Sequence, residues 1–237
     1  MSIGTSGSRR DFLLFSTAAG LLFGARRGEA SPAQGQEIEV AAVEDLMREH
    51  GILRRALLVY TEIAPKLRSN PSSVAPDALQ KTARLFRTFG EDYHEKKLEE
   101  AYIFPAVKKA GGPAASYADI LVAQHQRGRE ITDYIFSATR GGKVGASNSQ
   151  TLARIMDEFV LMYRNHAARE DTIVFPAWKR TMSPKQYDEL SDKFEEIEHQ
   201  MFGKDGFDDA VSQISHIEMA LGMEDIGQFT PPPPPKA

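Results

Sequence analysis

The feature that most constrains this chain is a repeat. "YHEKKLEEAYIFPAV" covers residues 93–107 and "YRNHAAREDTIVFPAW" covers 163–178. Each puts a His ahead of an acidic pair, Glu99-Glu100 in the first and Glu170-Asp171 in the second. An apolar patch and Phe-Pro-Ala follow in both. The segment before each copy carries one more His, His50 in the first half and His125 in the second, at nearly the same distance upstream. A fold made of two such halves has to account for four imidazoles at matching positions.

The chain between these landmarks reads as helix. No stretch alternates at period two, and apolar residues recur at spacings of three and four, broken by Pro and Gly. Helices are expected over 37–68, 76–109, 115–139 and 149–181. A fifth starts at Ser183, with Pro184 in its first turn, and stops near Gly203. A sixth covers 207–221. The connections are short, so the fold class is all-α: an antiparallel four-helix bundle over 37–181 with an extra C-terminal helical segment over 183–222. Residues 223–237, with "PPPPP", form a proline-rich tail of polyproline character.

Each His of the repeat falls on an apolar stripe. The first helix reads Val43, Leu46, His50, Leu53, Leu57, Tyr60 and Ala64. The third reads Ala118, Leu121, His125, Gly128, Thr132 and Ile135. The fourth reads Leu152, Ile155, Phe159, Met162, His166, Glu170, Ile173 and Ala177. One such His is ordinarily a satisfied core residue, and a Tyr or Phe nearby is ordinarily core packing. Four of them, one per helix, with a carboxylate on the same face, call for a joint explanation, because an uncompensated buried carboxylate is costly. The second helix is out of phase: Leu79, Ala83, Phe86, Gly90 and His94 share one face, while Glu99, Tyr102, Ile103 and Ala106 share a face one residue later. A single-residue insertion absorbed as a π-bulge explains the offset. His94 with Glu99 is the preferred pair, and Glu95 is the alternative acid. His199 lies in a charged stretch and His216 has no carboxylate at ligand spacing on an apolar face, so both are left out.

The chain has no cysteine, which removes disulfides, thiolate metal sites and Cys nucleophiles. Any metal must therefore sit among His and carboxylates. Four His and two acids, shared between two metals, give each two imidazoles and two bridging carboxylates, with positions left open. Such a donor set suits iron and O₂ chemistry, with Mn or Zn as alternatives and closed tetrahedral zinc disfavoured. Three rival readings remain. A ferritin-like di-iron enzyme would use Glu91-x-x-His94 and Glu196-x-x-His199 but leaves three core His unused. A metal-free bundle could bind a protein partner through the proline tail. A storage or sequestering protein would hold the metal without O₂ reactivity.

The N-terminus reads as an export signal. Arg9 and Arg10 precede an apolar stretch from Phe12 to Ala25, too short for a comfortable membrane helix, and small residues follow. "SRRDFLL" resembles the twin-arginine signal, which carries folded proteins with their cofactors, so residues 1–33 are expected to be removed on the way to the periplasm. The net charge is −4; without residues 1–33 the chain keeps 25 basic and 31 acidic side chains, a net −6. No basic block suggests nucleic acid, and no stable membrane insertion is expected after the signal is lost.

Taken in order, the "EH", "YHEKKLEEAYIFP", "QHQRGR" and "HAAREDTIVFP" segments resemble the hemerythrin HHE cation-binding domain over about residues 40–180. The resemblance implies a four-helix bundle with two non-haem irons that bind or react with O₂ or a related small oxidant such as NO or peroxide. By position it assigns as ligands His50, His94, Glu99, His125, His166 and Glu170. The chain departs from the family's spacing of four between His94 and its acid. The family's oxygen carriers use five His, whereas four fit here, which favours general di-iron redox chemistry over reversible carriage. Tyr93 and Tyr163 are candidates to hydrogen-bond near the irons, and Phe89, Phe159 and Ile173 are expected to keep the pocket dry.

Overall fold

The computed structural model describes residues 40–235, and the expected export signal lies outside them. The described residues are helical throughout and contain no strand. α1 spans Ala42–Ser69. α2, Pro76–Leu85, runs without a break into a π-helical segment, Phe86–Ile103, and then into α3, Phe104–Ala110. α4 is Ala115–Ala138. α5, Ala146–Arg169, continues through a second π-helical segment, Glu170–Val174, into α6, Phe175–Lys179. α7, Pro184–Phe202, and α8, Gly206–Leu221, complete a helical bundle. Among the described residues, no helix is long and apolar enough to cross a membrane.

Punctuation in the sequence sets most of these ends. α7 begins at a capping box between Ser183 and Gln186, with Pro184 in its first turn, and ends at Gly203 with φ +68°. Asp205 caps α8 by accepting from the Asp208 N–H at 2.8 Å, and Gly222 ends it at φ +67°. Two connections turn at Gly111-Gly112 and Gly141-Gly142, all four at positive φ that only glycine takes without strain.

The two π segments are the fold's departure from regular helix, and they are related by the repeat. The Phe104 N–H bonds back five residues to the Glu99 carbonyl, and the Phe175 N–H does the same to Glu170. Each is followed by proline, Pro105 or Pro176. Proline has no N–H and its ring collides with the carbonyl four residues back, so a widened turn just before it relieves both problems. The first π segment was anticipated as a single bulge and extends over eighteen residues. The second was not anticipated, and it corrects the inward face. Past Glu170 the buried residues are Val174, Phe175 and Trp178, whereas Ile173 and Ala177 are only half-buried. Past Glu99 they are Ile103, Phe104 and Val107, whereas Tyr102 and Ala106 are half-buried. One extra residue per wide turn advances the buried face by one position in both halves. In α5 the buried face is centred on Met156, Phe159 and Tyr163 instead of Ile155 and Met162.

The core runs along α1 and α5, which lie against each other over most of their length, with α2, the first π segment and α4 closing the other sides. Its centre is aromatic: Phe86 lies 5.6 Å from Tyr60 and 5.1 Å from Phe159, and Tyr163 meets Phe86 and Phe159 edge-on. Phe86 and Phe159 each contribute about 1.5–3 kcal/mol by leaving water. Gly128 keeps α4 close to that cluster, with the Phe159 ring 3.5 Å from where a Cβ would stand. α7 and α8 cover the opposite flank: Tyr187 accepts from the Val43 N–H, Ser191 from the Ala42 N–H, and Arg55 binds Glu218.

Candidate metal centre

α1, the first π segment, α4 and the α5–π segment each project one imidazole from their buried faces into one place. The Nε2 atoms of His50 and His94 are 3.0 Å apart, and those of His125 and His166 are 3.1 Å apart. Two carboxylates lie between the pairs. Glu99 directs Oε1 toward His94 Nε2 at 3.3 Å and Oε2 toward His125 Nε2 at 3.2 Å. Glu170 directs Oε1 toward His166 Nε2 at 3.0 Å and Oε2 toward His50 Nε2 at 3.4 Å. Each carboxylate therefore spans both imidazole pairs. All six side chains are buried. None of the four carboxylate oxygens has a well-formed hydrogen bond, although every one is sealed from solvent. Buried carboxylates normally carry full complements of donors. Groupings of Glu99, His125, His166 and Glu170, and of His50, His94 and Glu99, bring one ligand atom from each member within 4.8 Å of the others.

The long spacing between His94 and Glu99 is accommodated by the π wrap. An i→i+5 ladder makes residues five apart neighbours one turn along, as the α ladder does for His166 and Glu170 at four. Glu95, the alternative acid, groups instead with Glu100 and His125, on the outer side of that imidazole. Its oxygens meet Arg129 at 3.3 Å and the Tyr163 hydroxyl at 3.4 Å, and its nearest approach to an imidazole is to the outer nitrogen of His125 at 3.9 Å.

The outward nitrogens are held as regularly as the inward ones. His50 Nδ1 lies 2.6 Å from Asp171, His94 Nδ1 2.6 Å from Glu49, His125 Nδ1 2.9 Å from Glu100, and His166 Nδ1 2.9 Å from Gln124 Oε1. All four partners are acceptors, so in the neutral ring each Nδ1 carries the proton and each Nε2 presents its lone pair to the centre. Two of the acceptors are themselves held by arginines: Asp171 by Arg54 and Glu100 by Arg129, the latter at 2.6 Å. These outer residues were not singled out from the sequence. Their signal was adjacency, because Glu49 and Gln124 immediately precede His50 and His125, and Glu100 and Asp171 immediately follow the two central acids. Arg54 and Arg129 sit four residues after those same His.

The tyrosines take different parts. The Tyr93 hydroxyl donates to Glu49 at 3.1 Å and so supports the acceptor of His94. Tyr163 stacks on His166 at 5.2 Å and reaches Glu95. The rings against the imidazoles differ from those expected. Phe175 stacks on His50 at 5.4 Å and Phe104 on His125 at 5.5 Å. Phe89 packs on Tyr93 and Phe202, Phe159 on Tyr60, Phe86 and Tyr163, and Ile173 lines an outer groove with Val107, Pro176 and Arg180. The cause is the one-residue advance of the π turns, which brings the Phe of each Phe-Pro-Ala inward.

Electrostatics binds the six groups together. Burial pulls His94 down, but Glu99 and Glu49 outweigh it and hold the imidazole well above its ordinary value. Burial likewise opposes protonation of His125, and Glu95, Glu100 and Glu99 raise it to about 10. His50 is raised, burial being outweighed by Asp171 and Glu170. Burial pushes Glu99 up, yet His94 and His125 hold it well below the usual carboxylate range. Glu170 is lowered too, with His166 overcoming burial and the charge of Glu99. These neighbours favour the ionised form of Glu99 and Glu170 and the protonated form of His50, His94 and His125.

The rival carboxylate arrangement does not form. Glu91 is buried, but Arg87 Nε lies 2.8 Å from it and the Thr132 hydroxyl donates to it; burial pushes it up to about 7. Glu196 is exposed and bound to Lys193 and Gln200; His199 lies on α7 and His216 is exposed on α8.

Four imidazoles and two spanning carboxylates at the heart of a helical bundle form a buried His/carboxylate cluster whose donor atoms could hold a metal ion. The family comparison agrees: residues 41–178 match the hemerythrin HHE cation binding domain, and the chain belongs to that family. Over 206 residues it is 42% identical to uncharacterized proteins of Mycobacterium bovis and of two Mycobacterium tuberculosis strains, covering 86% of this chain and 80% of each of theirs. No solved structure matches it significantly.

Proposed function

We propose that the chain is an antiparallel four-helix bundle whose core holds two non-haem irons. His50 and His94 hold one, His125 and His166 hold the other, and Glu99 and Glu170 bridge both. In this reading the centre binds or reacts with O₂ or a related small oxidant such as NO or peroxide. The observation that carries it is the set of four buried carboxylate oxygens without a well-formed hydrogen bond, each facing an imidazole Nε2. Two cations complete every one of these groups, whereas a single cation leaves at least one imidazole pair facing acid without metal. His and carboxylate donors with open positions suit iron, which would supply reversible one-electron chemistry toward small oxidants.

The residues have separable duties. Glu49, Asp171, Glu100 and Gln124 fix the ring orientation and tautomer of the four His. Phe104 and Phe175 stack on the faces of His125 and His50 and shield them from water. A donor set of four His favours oxidant chemistry over carriage. A ferritin-like oxidase is disfavoured by Glu91, which is committed to Arg87 and Thr132.

Iron analysis joined to an optical spectrum tests the reading. Protein loaded with Fe²⁺ without air should be nearly colourless and should develop near-ultraviolet charge-transfer bands on exposure to O₂. Bound iron with no oxygen-dependent change would leave only storage. A folded preparation that takes up no iron would support a metal-free bundle.

For residues 1–33 we propose a twin-arginine signal and a periplasmic destination. Changing both Arg9 and Arg10 to Lys should hold the protein in the cytoplasm; unaltered export would show the pair to be incidental.

A further inference from the structure

The two halves match residue for residue around the centre. His50 corresponds to His125, His94 to His166, Glu99 to Glu170, Glu100 to Asp171, and Arg54 to Arg129. Besides the His–acid spacing, five in the first half and four in the second, the match fails behind one imidazole of each pair. The acceptor on His94 is the carboxylate of Glu49, and the acceptor on His166 is the neutral amide of Gln124. The other pair of acceptors, Asp171 and Glu100, are both carboxylates that carry an arginine; Glu95 adds a buried carboxylate 3.9 Å from His125 Nδ1, beyond hydrogen-bond reach, and shares Arg129 with Glu100.

An imidazole that donates to a carboxylate is a stronger base at its other nitrogen than one that donates to an amide, and it holds a cation more firmly. Glu49 is buried and fixed by the Tyr93 hydroxyl at 3.1 Å, so its charge acts on His94 with little screening by water. Gln124 is only partly buried and bears no charge. We infer that Glu49 and Gln124 are positioning residues that make the two metal positions unequal: the His50/His94 position binds tightly, and the His125/His166 position binds weakly and exchanges. The consequence is ordered filling, with a one-metal state occupied at low iron and the complete centre formed only when iron is ample.

This inference rests on the two-metal reading, and stepwise titration separates the two. Metal-free protein is titrated with Fe²⁺ under argon, and bound metal is followed against a competing chelator. The wild type should take up two irons with dissociation constants about tenfold or more apart, the spread that outer hydrogen-bond partners commonly produce. His94→Ala should remove the tight step and His166→Ala the weak one. Gln124→Glu should tighten the weak step and bring the two within a few-fold, a gain that loss of structure does not produce. Glu49→Gln, which is nearly isosteric, should loosen the tight step by about tenfold or more. Two irons of equal affinity in the wild type, or a weak step untouched by Gln124→Glu, would overturn the inference and leave the two-metal reading standing. Saturation below two irons would overturn both.

Discussion

Glu99 and Glu170 bear the greatest demand of any residues in this chain, since each is fully buried and faces both imidazole pairs. Glu99→Ala and Glu170→Ala should each abolish the bridge and cost at least one iron per chain. Glu95→Ala should spare both irons, because its carboxylate is engaged with Arg129 and Tyr163. Metal analysis of these three purified variants is the check, and loss of iron on Glu95→Ala alongside retention on Glu99→Ala would reverse the assignment. The charge balance also sets a pH dependence. His94, His50 and His125 have folded values above the unfolded value near 6.5, so their contribution to metal-free stability is complete below that pH and is lost as pH rises, toward about 10 for His125. Glu99 and Glu170 have folded values below 4.5, so their contribution is present above that pH and is lost as pH falls further. Glu91, raised to about 7, costs stability as pH rises from 4.5 to about 7 because folding opposes its ionisation, which draws the maximum toward the lower end of the window. Denaturant unfolding of metal-free protein should therefore give a maximum between roughly pH 4.5 and 6.5. Iron should shift the optimum upward, because the metal takes the place of the imidazole protons. A metal-free stability that climbs from pH 6.5 to 9 would contradict this.

Among the elements, the two π segments determine which side chains reach the centre. The sequence disclosed the first, because His94 and Glu99 are five apart and the apolar stripe slips by one at that point. It concealed the second, because His166 and Glu170 keep regular spacing and the widening begins only after the acid. The Phe-Pro-Ala repeats were its visible trace, but a proline after a helical stretch reads equally well as a simple end. For the same reason Ile173 and Ala177 were assigned to the core where Val174 and Trp178 stand. The six central residues were legible because buried His and acid interrupt an apolar stripe. Their outer partners were not, because a Glu or Gln beside a His on a helix looks like any solvated residue until the neighbouring helix is in place. Lys97 gives a direct test of the wide turn. It is exposed between His94 and Glu99, so its deletion lets that stretch rewind to i,i+4 while both flanks keep their faces. The deletion variant should retain its helical circular dichroism and both irons; loss of both irons would show that the wide turn itself is required.

At the scale of the whole molecule, α7 and α8 act as a buttress. They lie beyond the stretch matched by the family, yet they pack on the residues that hold the centre in place. Phe202 meets Tyr93 edge-on at 5.3 Å, and Tyr93 supports Glu49 behind His94. Trp178, fully buried, stacks on Phe194 of α7 at 5.6 Å. Trp178→Ala should lower stability by about 3–5 kcal/mol in denaturant unfolding, the usual cost of such a truncation in a core. An effect below about 1 kcal/mol would mean that the site had collapsed around the cavity or that α7 is only loosely attached. The expectations about metal depend on one claim, that a single chain holds two irons between two spanning carboxylates. The most direct measurement is iron per chain, by elemental analysis, in protein loaded anaerobically and freed of excess metal. The account predicts two irons for the wild type, with none or one for Glu170→Ala. Saturation of the wild type at one iron, or zinc kept in preference to iron, would contradict it.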